Sequence, residues 1–183
     1  MADDTITESE TTPDGRALCP YYSLGDSENF VREIHGVGGG WEVALEAAYE
    51  HLYKTSNPDQ NRWWKYKLMS AREFGLLERV GRAQDAKLRL TKFARQLVLP
   101  ESAEDAAVTR RLAFASCSLY KKLHARYLDS TLPAVDGLAN LLKREYGVAA
   151  SVAPTAAQAF VNSVSEAGLL SKNGKVLDPF PLS

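Results

Sequence analysis

The sequence predicts a mainly α-helical fold with two small β-hairpins, from three observations. Apolar residues recur every three or four positions through most of the chain after Ser23, which is the spacing of amphipathic helices. Short apolar segments separated by turn residues follow Gly75 and Gly168, a pattern typical of hairpins. The 183 residues, 45% of them hydrophobic and 25% charged, have the composition of an average globular protein and suffice for a core without disulfides.

The first elements are predicted to follow an acidic tail, residues 1–22, which contains few large apolar groups and is expected to be disordered. Ser23 and Asp26 have the spacing of a capping box, so a first helix runs to about His35. A second helix is predicted from apolar residues at helical spacing: Trp41, Leu45, Ala48, Tyr49 and Leu52. A third extends from Asp59 to Phe74, with Trp64, Leu68, Ala71 and Phe74 turned inward and Gly75 as its stop.

Strand, turn and strand are predicted over residues 76–90, and a helix from Thr91 to Val98 follows, closed by Pro100. Residues 102–127 have the pattern of one long helix. Pro133 is expected to open the next helix, which ends at Gly147, and Pro154 the last, which ends at Gly168. Leu169, Leu170 and the turn at Asn173-Gly174 predict a second short hairpin, completed by Val176 and Leu177.

An internal repeat connects the two hairpins. The stretch EFGLLERVG, residues 73–81, matches EAGLLSKNG, residues 166–174, as a pattern ExGLLxxxG recurring 93 residues apart. A helix precedes each copy and a candidate strand follows it. The order of helices, then a Gly-Leu-Leu junction, then a hairpin resembles the winged helix-turn-helix fold, and the chain is similar to uncharacterised prokaryotic tandem winged-helix proteins.

This resemblance implies two tandem modules after the tail, residues 23–99 and 100–183. It also implies that the third helix of a module enters the major groove of DNA while the wing lies along the backbone or the minor groove. In the first module these elements are the helix 59–74 and the wing 78–90. The implied partner is double-stranded DNA, and the implied role is that of a transcriptional regulator.

The distribution of charge agrees with this expectation although the net charge is only −1. Residues 1–50 carry eleven acidic and two basic residues, whereas residues 61–95 carry ten basic and three acidic ones. Amide side chains suit adenine edges, arginine suits guanine, and lysine suits phosphates. The predicted DNA-binding residues are Gln60, Asn61, Arg62, Trp63, Lys65, Tyr66 and Lys67 on the third helix and Arg79, Arg82, Lys87 and Arg89 on the wing. Trp63 either stacks on a partner or covers a helix junction.

The second module differs, because its third helix, residues 154–167, contains neither lysine nor arginine and lacks the cations that dominate affinity for DNA. We therefore expect this module to serve packing, a homodimer or a protein partner. No apolar run approaches the roughly 20 residues that span a bilayer, and the acidic N-terminus is unlike a signal peptide, so we expect a cytoplasmic protein without a membrane partner.

The sequence indicates no catalytic or metal site. Cys19 and Cys117 form no CxxC motif, the three histidines have no neighbour at ligand spacing, and the glycines of residues 36–40 lack the lysine of a phosphate loop. We expect Cys117, inside a helix, to be a packing residue, and we expect a non-enzymatic protein without cofactors. The alternative to DNA binding is a winged-helix adaptor that binds protein through the acidic helices of residues 26–50 and through Trp63.

Overall fold

The computed structural model describes residues 19–54, 58 and 61–178, and these residues form eight α-helices and a three-stranded antiparallel sheet. The helices are α1 (Leu24–Gly36), α2 (Leu45–Tyr53), α3 (Arg62–Glu73), α4 (Lys92–Val98), α5 (Ala103–Ser116), α6 (Ser118–Tyr127), α7 (Val135–Tyr146) and α8 (Ala153–Glu166). The strands are β1 (Glu42–Ala44), β2 (Leu77–Val80) and β3 (Lys87–Leu90), in the order β1–β3–β2. The prediction of a mainly α fold with a small hairpin is confirmed.

The start of α1 is set by its local sequence. The Ser23 hydroxyl accepts from the backbone N–H of Asp26, and the Asp26 carboxylate accepts from the backbone N–H of Ser23, so the predicted capping box is present. The part of the chain that packs against the core begins before Ser23, earlier than expected. Cys19 is buried, and the backbone N–H groups of Tyr21 and Tyr22 both donate to the Ser70 hydroxyl of α3. Residues 19–22 therefore belong to the folded body.

The prediction of a single helix from Trp41 to Leu52 is wrong at its start. Residues 42–44 form the edge strand β1, in which Val43 lies opposite Leu88 of β3, and α2 begins only at Leu45. The backbone carbonyl of Trp41 accepts from Leu90, which extends the ladder by one bond. The backbone N–H and C=O groups of residues 42–44 are satisfied by pairing with β3, which is distant in the sequence. The local sequence of these residues therefore did not reveal the strand.

The long helix predicted over residues 102–127 is two helices, broken at Cys117, which has an extended backbone (φ −77°, ψ 110°). The break turns aromatic side chains from both helices toward α8. Phe114 of α5 and Tyr120 of α6 pack on Phe160, with ring centroids 6.1 and 5.0 Å away. Cys117 is buried as expected, but between helices rather than inside one. Pro133 precedes α7, which begins at Val135, rather than opening it.

The repeated stretches have the same backbone structure where α3 and α8 end. Gly75 and Gly168 are both left-handed (φ +64° and +68°), and each follows its helix as the closing residue of a Schellman motif. The backbone N–H of Leu76 donates to Ala71, and that of Leu169 donates to Val164, each at 2.9 Å. The two pairs are related by the same offset of 93 residues as the sequence repeat.

After these junctions the two copies diverge. The first continues into the paired strands β2 and β3, as predicted. The second forms only isolated bridges within the described residues, in which Val176 pairs with both Leu170 and Leu128. The predicted second hairpin is therefore reduced to single-residue pairing. The spatial order 128–176–170 corresponds to the strand order β1–β3–β2, but the bridge between Leu128 and Val176 is parallel, whereas β1 and β3 are antiparallel.

One core connects both halves of the chain through α1. The backbone N–H of Leu24 donates to the buried Ser163 hydroxyl of α8, whose counterpart in the repeat, Ser70, binds the residues just before α1. The Glu166 carboxylate accepts from the N–H of Gly25 and from the Ser23 hydroxyl, at the positively polarised start of the helix. The two expected modules are thus packed together rather than connected by a linker.

Replacing Gly75 or Gly168 by alanine is expected to distinguish the cost of a left-handed backbone from the cost of steric crowding. A Cβ on Gly75 would lie 3.3 Å from the Ser116 hydroxyl, whereas one on Gly168 would meet only the Arg111 guanidinium, at 3.9 Å. We expect Gly168→Ala to cost about 1 kcal/mol of unfolding free energy and Gly75→Ala about 1.5 kcal/mol. Urea unfolding measures both; a larger loss for Gly168→Ala would contradict the proposed crowding.

Candidate nucleic-acid interface

A basic stripe follows the exposed side of α3. Arg62, Lys65, Met69 and Arg72 occupy positions i, i+3, i+7 and i+10, which share one face of a helix, and the three cations among them are exposed. The opposite side of α3 packs into the core through Trp64, which is 1% exposed and contacts the edges or faces of Phe30 and Tyr49. Burial of Trp64 therefore fixes the orientation in which α3 presents its cations.

The stripe continues onto the hairpin. Arg72 at the end of α3 and Arg79 on β2 line one shallow groove, which Glu73 and Glu78 also line, and Arg82 is exposed in the loop between β2 and β3. Among the residues that the structure describes, Lys65, Arg79 and Arg82 make no ion pair with an acidic side chain. We call the set Arg62, Lys65, Arg72, Arg79 and Arg82 the basic face.

The other two cations predicted for the wing are paired within the protein. Glu42 of β1 binds Lys87 at 3.3 Å and Arg89 at 3.0 Å, and Arg89 also lies 3.9 Å from Glu78. The hydrogen bond from Arg89, followed by the interaction with Lys87, lowers the pKa of Glu42, so the carboxylate is charged at neutral pH. The strand that the sequence did not reveal thus neutralises part of the predicted wing charge.

The start of α3 has a structural role. The Asn61 side-chain oxygen accepts from the backbone N–H groups of Trp63 and Trp64, and its amide donates to the Tyr49 hydroxyl at 3.3 Å. The same amide that was predicted to read adenine is therefore the N-cap of the helix. Gln60, predicted to do likewise, lies outside the described residues.

Lys67 turns away from the basic face. Its ammonium lies 5.6 Å from the ring centroid of Phe30 and 5.9 Å from that of Tyr53, in a pocket that also contains Asp26 and Glu33 of α1. Lys65 and Lys67, two residues apart on one helix, therefore have opposite surroundings. One faces solvent beside other cations, and the other lies over aromatic rings beside carboxylates.

An aromatic cluster borders the basic face. Tyr21 stacks on Tyr66 with ring centroids 4.5 Å apart and planes 9° apart, and both rings contact Trp63. Trp63 is 43% exposed, and the Arg62 guanidinium lies over it at 4.6 Å. Of the two roles predicted for Trp63, stacking on a partner requires this exposed area. Tyr21 was missed because it lies in the segment that was expected to be disordered.

The other chemistry-bearing residues lie in the core. Both cysteines are buried, and burial raises the pKa of Cys19 to about 12 and the pKa of Cys117 above its usual range as well. His124 is also buried, with Nε2 2.7 Å from the backbone carbonyl of Leu177. Within residues 19–178, as far as described, no three His, Cys, Asp or Glu side chains are placed to hold a metal ion.

The corresponding helix of the second half has a different surface. Gln158, Asn162 and Ser165 are exposed on α8, and Gln158 donates to Asn162. In the described part of the chain, no helix is long and apolar enough to cross a membrane.

Comparisons with protein-family models, curated proteins and solved structures gave no match to this chain.

Proposed function

We propose that the chain contains two winged helix-turn-helix units and that the first binds duplex DNA through the basic face. The order of elements supports this: α1, α2, α3, β2, the loop with Arg82, and β3 follow one another as in the fold inferred from the repeat. β1, which the sequence did not predict, lies between α1 and α2. In the second unit, α6, α7 and α8 with the bridging residues 128, 170 and 176 take corresponding places.

The observation that carries the proposal is the uneven pairing of cations. Lys87 and Arg89 are paired with Glu42, whereas Lys65, Arg79 and Arg82 have no acidic partner among the described residues and lie exposed on α3, β2 and the loop after β2. Exposed cations that lack an internal partner are available to neutralise phosphates. Their placement on the third helix and on the wing suits a groove-binding helix with a flanking backbone contact.

Trp63 and the stacked tyrosines support a second candidate, the protein-binding adaptor. An aromatic cluster with an exposed member beside an arginine is also typical of protein–protein hot spots. The acidic residues Glu33, Glu46 and Glu50 of α1 and α2 are exposed and would remain available to such a partner. The two candidates differ in the dependence of binding on salt.

A salt titration with random-sequence duplex tests the proposal. If about four cations of the basic face neutralise phosphates, log affinity falls with log salt at a slope near −4. Lys67, Lys87 and Arg89 are left out of this count, because the Lys67 ammonium lies over aromatic rings and the other two side chains are paired with Glu42. A folded protein without affinity for duplex at low salt would favour the adaptor.

Lys65→Gln and Lys67→Gln form a matched pair for the same measurement. We expect Lys65→Gln to weaken duplex binding about threefold to tenfold and to reduce the slope by about one, because it removes one phosphate contact. Lys67→Gln should change neither the affinity nor the slope, because its ammonium lies over Phe30 and Tyr53. Equal losses in both variants would contradict the assignment of the face.

A further inference from the structure

The chain that precedes the folded body joins it beside the basic face. Cys19 is buried, Tyr21 and Tyr22 bind Ser70 of α3 through their backbone, and the Tyr21 ring stacks on Tyr66 of the same helix. These contacts hold residues 19–22 along α3. Residues 1–18, which we call the acidic segment, are therefore tethered next to the helix that carries Arg62, Lys65 and Arg72.

The acidic segment and the basic face carry charges of opposite sign. It contains five carboxylates against the single cation Arg16. The carboxylates are those of Asp3, Asp4, Glu8, Glu10 and Asp14. The basic face carries five cations, of which Lys65, Arg79 and Arg82 have no acidic partner among the described residues. The acidic segment and the basic face are therefore opposite in charge, and they contain similar numbers of charged side chains.

The tether is long enough for this contact. Asp14 lies five residues before Cys19 and can be at most about 17 Å from it, while Asp3 can be as far as about 55 Å. The 12 residues of α3 span only about 18 Å. Carboxylates of the acidic segment can therefore reach every cation of the helix. Covalent attachment gives such a segment an effective concentration in the millimolar range, so weak contacts suffice.

We propose that the acidic segment binds the basic face within the same molecule and competes with the phosphates of DNA for its cations. The competition rests on the proposed DNA-binding function, whereas the intramolecular contact can be measured without DNA. A cation neutralised by a carboxylate of its own chain releases fewer counterions when it meets a phosphate, which lowers affinity for any duplex. The contact is exposed and electrostatic, so it weakens as salt rises.

The contact itself is tested on the full chain without DNA. At low salt, a zero-length carbodiimide should join Lys65 to carboxylates of the acidic segment, and mass spectrometry locates the linked residues. Lys143, exposed on α7, is the comparison amine and should yield far fewer links to the same carboxylates. Links to Lys65 that are no more frequent than links to Lys143 would overturn the proposal.

The competition is tested with two full-length variants of equal charge. One neutralises the segment by Asp3→Asn, Asp4→Asn, Glu8→Gln, Glu10→Gln and Asp14→Asn. The control neutralises five exposed carboxylates elsewhere, by Glu46→Gln, Glu50→Gln, Glu101→Gln, Glu104→Gln and Asp136→Asn. We expect the first to bind random duplex about threefold to tenfold more tightly than the control at low salt and equally near 0.5 M salt.

The outcomes separate this proposal from the proposed function. Equal affinities of the two variants at low salt would overturn the competition. Cross-links to Lys65 together with no duplex binding by any variant would overturn DNA binding while supporting the intramolecular contact. Circular dichroism should show that both variants retain the helical content of the wild type.

Discussion

Replacing both Arg62 and Lys65 by glutamate is expected to weaken duplex binding about 100-fold at 0.1 M salt, because two phosphate contacts become two repulsions. Both side chains lie on the exposed stripe of α3, one turn apart, and neither belongs to the core. The loss should be similar for unrelated duplex sequences if these cations contact the backbone, and sequence-dependent if Arg62 reads a guanine.

The matched control for this double variant is Lys172→Glu with Lys175→Glu. Both lysines are exposed, Lys172 in the turn of the second half and Lys175 just after it, and their replacement by glutamate changes the net charge of the protein by the same amount. We expect the control to lose only the small, nonspecific share of affinity that follows from net charge. An equal loss in the two double variants, both with the melting temperature of the wild type, would contradict a DNA site on α3.

Replacing Glu28 by glutamine is expected to lower the free energy of unfolding by about 3 kcal/mol, since it leaves two arginines facing a buried position without their counter-ion. Glu28 on α1 is 6% exposed and binds Arg110 of α5 through both carboxylate oxygens, at 2.8 and 2.9 Å. It also binds Arg32, which in turn donates to the backbone carbonyls of Leu97 and Val98 at the end of α4. The value lies at the low end for buried pairs because both arginines reach solvent.

Glu145→Gln is the control, since Glu145 also lies between two arginines but on the surface, where Arg126 and Arg144 bind it. We expect no change in unfolding that a urea titration can resolve, because exposed ion pairs contribute little. Comparable losses at Glu28 and Glu145 would contradict the role of burial. A single transition in the Glu28 variant would agree with the shared core of the two halves.

The Glu28 contribution also depends on pH. Burial alone raises the pKa of Glu28, but hydrogen bonds from Arg110 and Arg32 outweigh burial, so the folded pKa lies below the ordinary value. The unfolded chain therefore binds the proton first, and the stabilisation is complete above about pH 5, beyond the ordinary pKa of a glutamate. It is lost as the pH falls through the lower, folded pKa. The Glu28→Gln variant should lose less stability than the wild type over this acidic range, as measured by urea unfolding at several pH values.

Signals confined to a few residues predicted much of the first half. The Ser23–Asp26 capping box, the glycine that ends α3 and the alternation of β3 each involve neighbours in the chain. Such signals work because caps, left-handed glycines and turns satisfy backbone groups locally. The inward positions of α3 were likewise recovered from its periodicity, and Trp64 and Phe74 are buried.

The candidate site was predicted less completely. Whether a cation is available to a phosphate depends on the side chains that surround it in the folded structure. Periodicity and residue type together predicted Arg62 and Lys65 among the DNA-binding residues, and both are exposed. These signals could not separate the two from Lys67, whose surroundings come from α1 and α2, or from Arg89, whose partner Glu42 lies 47 residues earlier in the chain. The role of Asn61 as an N-cap could have been predicted from the sequence, since asparagine is a preferred residue at that position.

By itself, the sequence determined the helical class, the repeated junctions at Gly75 and Gly168 and the concentration of cations in residues 61–95. The tertiary structure alone decided that residues 42–44 form a strand, that the helix breaks at Cys117, and that Tyr21 lies against α3. The physical reason is the range of the interactions. Caps and glycine turns act within one helical turn, whereas strand pairing, core packing and ion pairing join residues that only the folded chain brings together.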